Sequence, residues 1–141
     1  MADLPKEILA EKENVENALK NLQEAVTRPE QTVVELSAIA VFLHNIYNGI
    51  ENILKQTLKT KDIQIPKSET WHKDMLNLSV EVGIISKDLS DELYEYLTFR
   101  HFFIHAYGFM IEEPLLENLV VNIPRIWAVF IDEVKKFFKF L

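Results

Sequence analysis

The chain has 141 residues, of which 48% are hydrophobic, and it carries a formal net charge of −7 and no cysteine. This length and hydrophobic content predict one folded domain, 1–141, while the lack of cysteine excludes disulfides, zinc–thiolate sites, iron–sulfur clusters and thiol nucleophiles. The acidic charge argues against a broad nucleic-acid surface, although a dimer could still concentrate positive charge in one cleft.

The first two predicted helices rest on apolar residues that recur every three or four positions. One such pattern runs from Leu4 to Val26 and predicts an amphipathic helix that ends before Pro29. A longer pattern, from Thr32 to about Leu58, comes close to a heptad repeat. It predicts a long helix in the core of the fold.

The third predicted helix covers Trp71 to Val82. Before it, Ser68, Glu69 and Thr70 supply side chains of the kind that cap a helix N-terminus. Gly83 follows the pattern directly, and glycine is common at the position where a helix ends. We therefore expect a short helix with a defined start and a defined stop.

A fourth helix is predicted to begin near Ser86 or Ser90 and to run to about Tyr107. The last helix begins near Pro114, and Pro124 inside it predicts a kink or a break just before that residue. The sequence shows no alternating strand pattern. The predicted fold is therefore all-α, an antiparallel bundle of four to five helices.

The sequence lacks the patterns of a membrane protein and of several enzyme classes. The first ten residues are charged, and no run approaches the roughly 18 apolar residues of a membrane span, so we expect a cytoplasmic protein with no membrane partner. Phosphate-cradling glycine motifs and the H-E-x-x-H metal motif are missing. The acidic residues Glu112 and Glu113 are interpreted as helix-start electrostatics, so we expect no metal and no cofactor.

The segment from Thr98 to Phe109 stands out because it sets charged and polar groups into an apolar helix. At about 100° per residue, Arg100 and Tyr107 return to nearly the same face after two turns, and His101 lies one turn from His105. Polar groups in such surroundings need partners. Their apolar neighbours are Phe99, Phe102, Phe103 and Ile104.

The residue types in this segment suit phosphate chemistry. Arginine is a fixed cation whose planar fork matches phosphate oxygens, and histidine exchanges a proton near neutral pH. Arg100 could stabilise charge on phosphorus while His105 transfers a proton, which would cut RNA without a metal ion. Tyr107 could bind phosphate or hold the histidine. The alternative interpretation is structural: Arg100 pairs with a carboxylate, and the two histidines cap or fill the bundle.

Three polar residues of the second predicted helix lie about one turn apart or adjacent: His44, Asn45 and Asn48. They could line a cleft opposite Arg100 or form hydrogen bonds within the bundle, and the structural role is favoured. Tyr47 and Glu51 on the same helix are interpreted as a packing residue and a surface residue one turn apart. His72 is interpreted as exposed and inert.

The motif Arg100-His101-x-x-x-His105 resembles the signature of the HEPN superfamily, in which an arginine and a polar residue precede a histidine by a short gap. Tyr107 extends it to the Arg-x4-His-x-Tyr pattern of HepT-like toxins. The flanking segments, from His44 to Glu51 and from Gly108 to Trp127, are similar to the same group. The resemblance covers most of the chain.

This resemblance implies a metal-independent endoribonuclease toxin in which Arg100 and His105 are catalytic and Tyr107 and His101 support them. It implies a homodimer, or a higher homo-oligomer, because the two copies of the motif meet in one cleft at the subunit interface. It also implies an antitoxin partner of the minimal nucleotidyltransferase (MNT) type. In some members that partner attaches adenylate to the motif tyrosine, a role that would fall to Tyr107.

Two other functions stay open at this point. One is a non-catalytic HEPN module that binds a nucleotide or docks a nucleotidyltransferase through the same residues, and the acidic charge fits it. The other is a purely structural helical dimer, which would do neither. An adjacent nucleotidyltransferase gene would favour the toxin or the binding module over the structural dimer. RNA breakage would then distinguish the toxin from the binding module.

Overall fold

The computed structural model describes residues 4–106 and 113–138, which form five α-helices and one 3₁₀ turn. The helices are α1 (Leu4–Val26), α2 (Val33–Thr60), α3 (Trp71–Glu81), α4 (Lys87–Ala106) and α5 (Glu113–Val134), and the turn is Lys135–Phe137. No strand occurs in these two ranges. The predicted all-α helical bundle is therefore confirmed. Tyr107 and the side chain of His105 lie outside the described residues.

The core of the bundle is built around α2, which contacts each of the other four helices. Its apolar residues at three- and four-residue spacing are fully or almost fully buried: Ile39, Leu43, Ile46, Ile50, Ile53, Leu54 and Leu58. By length and composition alone, α2 is also the one helix within the described ranges that could cross a membrane. The central helix of a soluble bundle passes the same test, and α2 has the packing of such a helix.

Side chains begin α2 and α4 where the sequence predicts them. Thr32 precedes α2, and its N–H donates to the Glu35 carboxylate at 2.9 Å in a capping box. Ser86 precedes α4 and accepts the N–H of Leu89 on its hydroxyl at 3.1 Å. The Glu133 carboxylate accepts the Ser86 N–H at 2.6 Å, which ties the start of α4 to the end of α5. The predicted starts are thus confirmed, with Ser86 rather than Ser90 as the cap.

The short helix α3 begins at Trp71 and ends next to Gly83, as predicted, but its N-terminus is not capped as predicted. Gly83 has a φ of 83°, and the next residue, Ile84, donates its N–H to the Ser79 carbonyl at 2.8 Å, so glycine closes the helix through a left-handed residue. At the other end, Thr70 makes no capping bond to the backbone. Its hydroxyl donates instead to the Asp74 carboxylate at 3.2 Å. The predicted N-cap bond is therefore not formed by Thr70, whose hydroxyl donates to a carboxylate instead of accepting from a backbone N–H.

The last helix does not break at Pro124, because α5 continues through this residue, while the alternative of a kink stays a prediction. Proline lacks an N–H, so the Val120 carbonyl loses its partner within the helix. Beside this gap, the Tyr96 hydroxyl of α4 donates to the Leu119 carbonyl at 2.7 Å. Apolar residues on both sides of the proline, among them Ile123, are buried against the core. Packing and this added hydrogen bond hold the helix together.

Candidate functional site

Arg100 lies on α4 and reaches across to α2. Its Nε–H donates a hydrogen bond of 2.8 Å to Oδ1 of Asn48, and the side chain is half-buried. Within the described residues, no carboxylate forms an ion pair with Arg100, and its two terminal nitrogens, Nη1 and Nη2, have no hydrogen-bond partner. The alternative in which a carboxylate neutralises Arg100 therefore finds no support in the described part of the chain.

His44 lies one turn before Asn48 on α2 and completes what we call the Arg100 site: Arg100, Asn48 and His44. Both ring nitrogens of His44 are 3.5 Å from the Asn48 amide nitrogen. The ring of Phe103 on α4 lies 5.6 Å from the His44 ring, centre to centre. The bond between Arg100 and Asn48 is a hydrogen bond within the bundle, as the favoured interpretation predicts, and it also places Asn48 directly beside Arg100.

The surroundings of the His44 imidazole favour its neutral form. Burial lowers its pKa below the usual value of 6.5, and the nearby positive charge of Arg100 lowers it further. A hydrogen bond with Asn45 and the negative charge of Glu51 act in the opposite direction but do not offset these two effects. A neutral imidazole beside a guanidinium is able to accept a proton.

The other predicted site residues lie near the end of α4. His101 is exposed and follows Arg100 directly. The backbone of His105 belongs to the last turn of α4, which ends at Ala106. The proximity of Arg100 to His105 and Tyr107 stays a prediction, because the side chain of His105 and all of Tyr107 lie outside the described residues.

A second polar group, which we call the Glu51 cluster, comprises Tyr47, Glu51 and His72. The Glu51 carboxylate is only 3% exposed, and its two oxygens lie 2.9 and 3.0 Å from Nδ1 of His72. With Glu51 ionised, this contact requires the proton on Nδ1, because a carboxylate accepts hydrogen bonds and does not donate them. The Trp71 ring stacks on His72 at 3.6 Å between centres. The predictions that Glu51 is a surface residue and that His72 is exposed and inert are both wrong.

Tyr47 lies beside Glu51 and is almost fully buried. Its hydroxyl has no hydrogen-bond partner among the described residues. Burial raises the pKa of the Tyr47 hydroxyl above its usual value, the charge of Glu51 raises it further, and the charge of Arg100 opposes them. The Glu51 cluster is therefore close enough to feel the charge of Arg100, although neither Tyr47 nor Glu51 bonds to it.

A signal for this cluster was present in the sequence. Glu51 falls on the same three- and four-residue spacing as Tyr47, Ile50 and Leu54, which are all buried on α2. A carboxylate in an apolar stripe requires a buried partner. The identity of the partner could not be predicted, because His72 lies 21 residues further along the chain. Across residues 4–106 and 113–138, no three acidic or histidine side chains come together to hold a metal ion.

Comparison with known proteins gives one match. A family model described as HepT-like protein matches residues 38–141 of the chain. This range contains both polar groups on α2, the whole of α4, and the segment with Arg100, His105 and Tyr107. Searches of curated proteins and of solved structures give no significant match.

Proposed function

Because the chain belongs to the HepT-like family of the HEPN superfamily, we propose that it is an endoribonuclease toxin, active as a dimer and without a metal ion. The observation that carries the proposal is how Arg100 is held. A neutral amide, Asn48, accepts from Nε on the inner edge of the guanidinium. Within the described residues no counter-ion neutralises this positive charge, and the outer fork of Nη1 and Nη2 is available for a bidentate bond to a phosphate group.

The arrangement supports cleavage by the ribose 2′-hydroxyl. The 2′ oxygen forms a bond to phosphorus while the bond from phosphorus to the 5′ oxygen breaks, which leaves a 2′,3′-cyclic phosphate and a free 5′-hydroxyl. Arg100 stabilises the negative charge that develops on the non-bridging oxygens. Two proton transfers are also needed, one from the attacking hydroxyl and one to the leaving oxygen.

Two histidines suit these two transfers for different reasons. His44 is neutral beside Arg100, so it can accept the proton of the 2′-hydroxyl. His105 belongs to the last turn of α4, where the negative end of the helix dipole favours a protonated imidazole. It can therefore donate a proton to the leaving oxygen. In this assignment Arg100, His44 and His105 are catalytic, and Asn48 is a positioning residue.

The antitoxin in this proposal is an MNT-type nucleotidyltransferase that modifies Tyr107. The tyrosine oxygen attacks the α-phosphorus of ATP, AMP becomes attached to the tyrosine, and pyrophosphate leaves. Helical spacing predicts that Tyr107 returns to the face of Arg100 after two turns, so we expect the attached phosphate to lie near that guanidinium. A tethered anion there competes with the RNA phosphate, which explains inhibition by charge and position alone.

The test is incubation of the purified protein with total cellular RNA in EDTA, after its mass has confirmed that Tyr107 is unmodified. We expect the wild type to break RNA and to leave 2′,3′-cyclic phosphate ends. Arg100→Ala and His105→Ala should leave the RNA intact, whereas Arg125→Ala, a surface arginine paired with Glu92, should cleave like the wild type. Undiminished cleavage by His105→Ala would contradict the assignment.

A second function is favoured by the net charge of −7, which is unusual for a protein that binds RNA through many phosphates. In that case the chain is a non-catalytic module that binds a nucleotide or docks a nucleotidyltransferase through Arg100. Intact RNA in every sample, together with saturable binding of ATP that Arg100→Ala abolishes, would support this function over the toxin.

A further inference from the structure

Six of the nine asparagines of the chain line one groove between α1 and α2. The groove has a volume of about 390 Å³. Its six asparagines are Asn14, Asn17 and Asn21 on α1 and Asn45, Asn48 and Asn52 on α2. Both sets have the same spacing, three residues and then four, which places each set on one face of its helix. Two matching rows of amide groups therefore border the groove.

The amide row on α1 is not explained by the needs of that helix. Asparagine is a poor helix former, and exposed helix faces usually carry Lys, Glu, Arg or Gln instead. The side chains of Asn14, Asn17 and Asn21 are exposed and make no hydrogen bond to another described residue. Three residues of low helix propensity thus lie on one face of α1, and no side-chain hydrogen bond within the described chain offsets this cost.

The groove is polar but almost uncharged. None of the described residues that line it is a lysine or an arginine, and Glu11 is its single carboxylate. Such a surface has no cation to pair with a phosphate. An asparagine amide has two donors and one acceptor, which is the combination that recognises the edge of a nucleobase. Asn52 uses a donor on Glu11 at 3.3 Å, and Asn48 uses its acceptor on Arg100. Phe42, half-buried beside the amides, adds an aromatic ring on which a base can stack.

Asn48 connects this groove to the Arg100 site. The residue lines the groove, and its Oδ1 accepts the hydrogen bond of Arg100. We propose that the asparagine groove between α1 and α2 binds an unpaired base of single-stranded RNA, next to the phosphate that Arg100 holds. The proposal rests on the proposed ribonuclease function and adds the part of the substrate that determines selectivity.

Separate sites for the phosphate and for the base are consistent with the net negative charge of the chain. An acidic protein cannot bind RNA by releasing counterions along many phosphates, but hydrogen bonds to a base edge need no net positive charge. One cation, Arg100, then anchors the phosphate, and the uncharged groove supplies selectivity for the base. Unpaired bases expose their edges for such contacts, so single-stranded RNA is the substrate class.

The test measures binding, so that it does not depend on cleavage. Fluorescein-labelled hexaribonucleotides rA6, rC6 and rU6 are titrated with full-length His105→Ala protein, and fluorescence anisotropy gives the Kd. The groove variant adds Asn14→Ala, Asn17→Ala and Asn21→Ala. Alanine raises the helix propensity at all three exposed positions, so α1 should remain folded. The matched control replaces the other three asparagines, Asn77, Asn118 and Asn122, with alanine.

We expect the His105→Ala parent to prefer one of the three hexamers. The groove variant should bind that hexamer about tenfold more weakly and lose the preference, as expected when contacts to a base edge are removed. The control variant should keep the affinities of the parent. The loss should be the same at low and high salt, whereas Arg100→Ala should weaken binding of all three hexamers and reduce the salt dependence.

The proposal is overturned if the parent binds the three hexamers equally or not at all, or if the groove variant keeps both affinity and preference. Its failure is distinct from that of the ribonuclease. If wild-type protein leaves RNA intact but the groove variant still loses the base preference, the groove stands and the cleavage proposal fails. If wild type cleaves RNA and the groove variant binds like the parent, the groove proposal fails alone.

Discussion

The Arg100 site and the Glu51 cluster lie one turn apart along α2, and each contains a charged side chain withdrawn from solvent. In the cluster, the Glu51 carboxylate is bonded through both oxygens to His72 and is almost fully buried. In the Arg100 site, the guanidinium is half-buried and is held by a neutral amide through one nitrogen. The Glu51 carboxylate thus has a side-chain partner at both of its oxygens, whereas the Arg100 guanidinium is held through one nitrogen and has no carboxylate partner within the described residues.

This difference separates a structural charge from one that is available for a ligand. A buried ion has to be paired, because the chain itself bears the cost of removing it from water. A partly buried ion without a counter-ion still produces an electrostatic potential that attracts a ligand of opposite charge. The comparison therefore predicts that the Glu51 cluster acts on stability and that the Arg100 site acts on activity, and each prediction below tests one half of it.

The largest effect is expected from Asn48→Asp, which would make the Arg100 site resemble the Glu51 cluster. Aspartate has the shape of asparagine but carries a charge that would pair with Arg100. RNA cleavage should fall about 100-fold, as when one group that stabilises the transition state is lost, while thermal stability should change little. Asn77→Asp, with the same change of charge on α3, is the control. Cleavage at the wild-type rate by Asn48→Asp would show that the charge of Arg100 is not needed.

The next effect is on stability and concerns His72→Ala. Removing the imidazole leaves the Glu51 carboxylate buried without its partner, so the free energy of unfolding should fall by about 3 kcal/mol. Urea denaturation measures it, with the exposed neighbour Lys73→Ala as control. A Glu51→Gln, His72→Ala double variant should recover part of the loss, because no buried charge then remains. If His72→Ala and Lys73→Ala were equally stable, the pair would not be structural.

A smaller loss of stability is expected from Gly49→Ala, between the two polar groups. A Cβ atom at this position would lie 2.2 Å from Cγ2 of Val15, so α1 and α2 could not keep their close approach. We expect a loss of about 2 kcal/mol, as is typical of overpacking. A Gly49→Ala, Val15→Ala double variant should regain stability relative to the sum of the single changes. Strict additivity in a thermal melt would contradict steric overlap as the cause.

Much of the fold could be predicted because helices depend on near neighbours. The bounds of α1 match the prediction from apolar spacing, and Gly83 ends α3 as expected. The failures concern contacts between distant residues. Pro124 was predicted to kink or break a helix that is continuous in the structure, where the Tyr96 hydroxyl bonds to it. His72 was predicted to be exposed, and no spacing rule could have linked it to Glu51.

The candidate site shows the same limit. The motif drew attention to Arg100 through residues a few positions away. What decides its chemistry, a neutral partner instead of a carboxylate, comes from Asn48, which is 52 residues away in the chain. Spacing on a helix could place His44 and Asn48 on adjacent turns, but it could not decide whether that surface faced α4. Only the packing of α2 against α4 shows that Asn48 faces Arg100.

The smallest expected effect is the pH dependence of stability that arises from the protonation of His44, in the Arg100 site. Its pKa in the folded chain is below the usual 6.5, chiefly through burial and then through the charge of Arg100. Between that folded pKa and 6.5, the unfolded chain binds more protons than the folded one. This contribution to stability is therefore complete above pH 6.5 and is lost as pH falls toward the folded pKa.

NMR titration of the His44 ring in wild type and in Arg100→Ala measures how much of this shift the guanidinium causes. If Arg100 is uncompensated, removing it should raise the pKa of His44 but leave it below the usual value, because burial remains. His44→Gln should reduce the decrease of stability on acidification. An unchanged His44 pKa in Arg100→Ala would mean that the guanidinium is screened after all, and that the two polar groups of α2 do not differ in the way their geometry indicates.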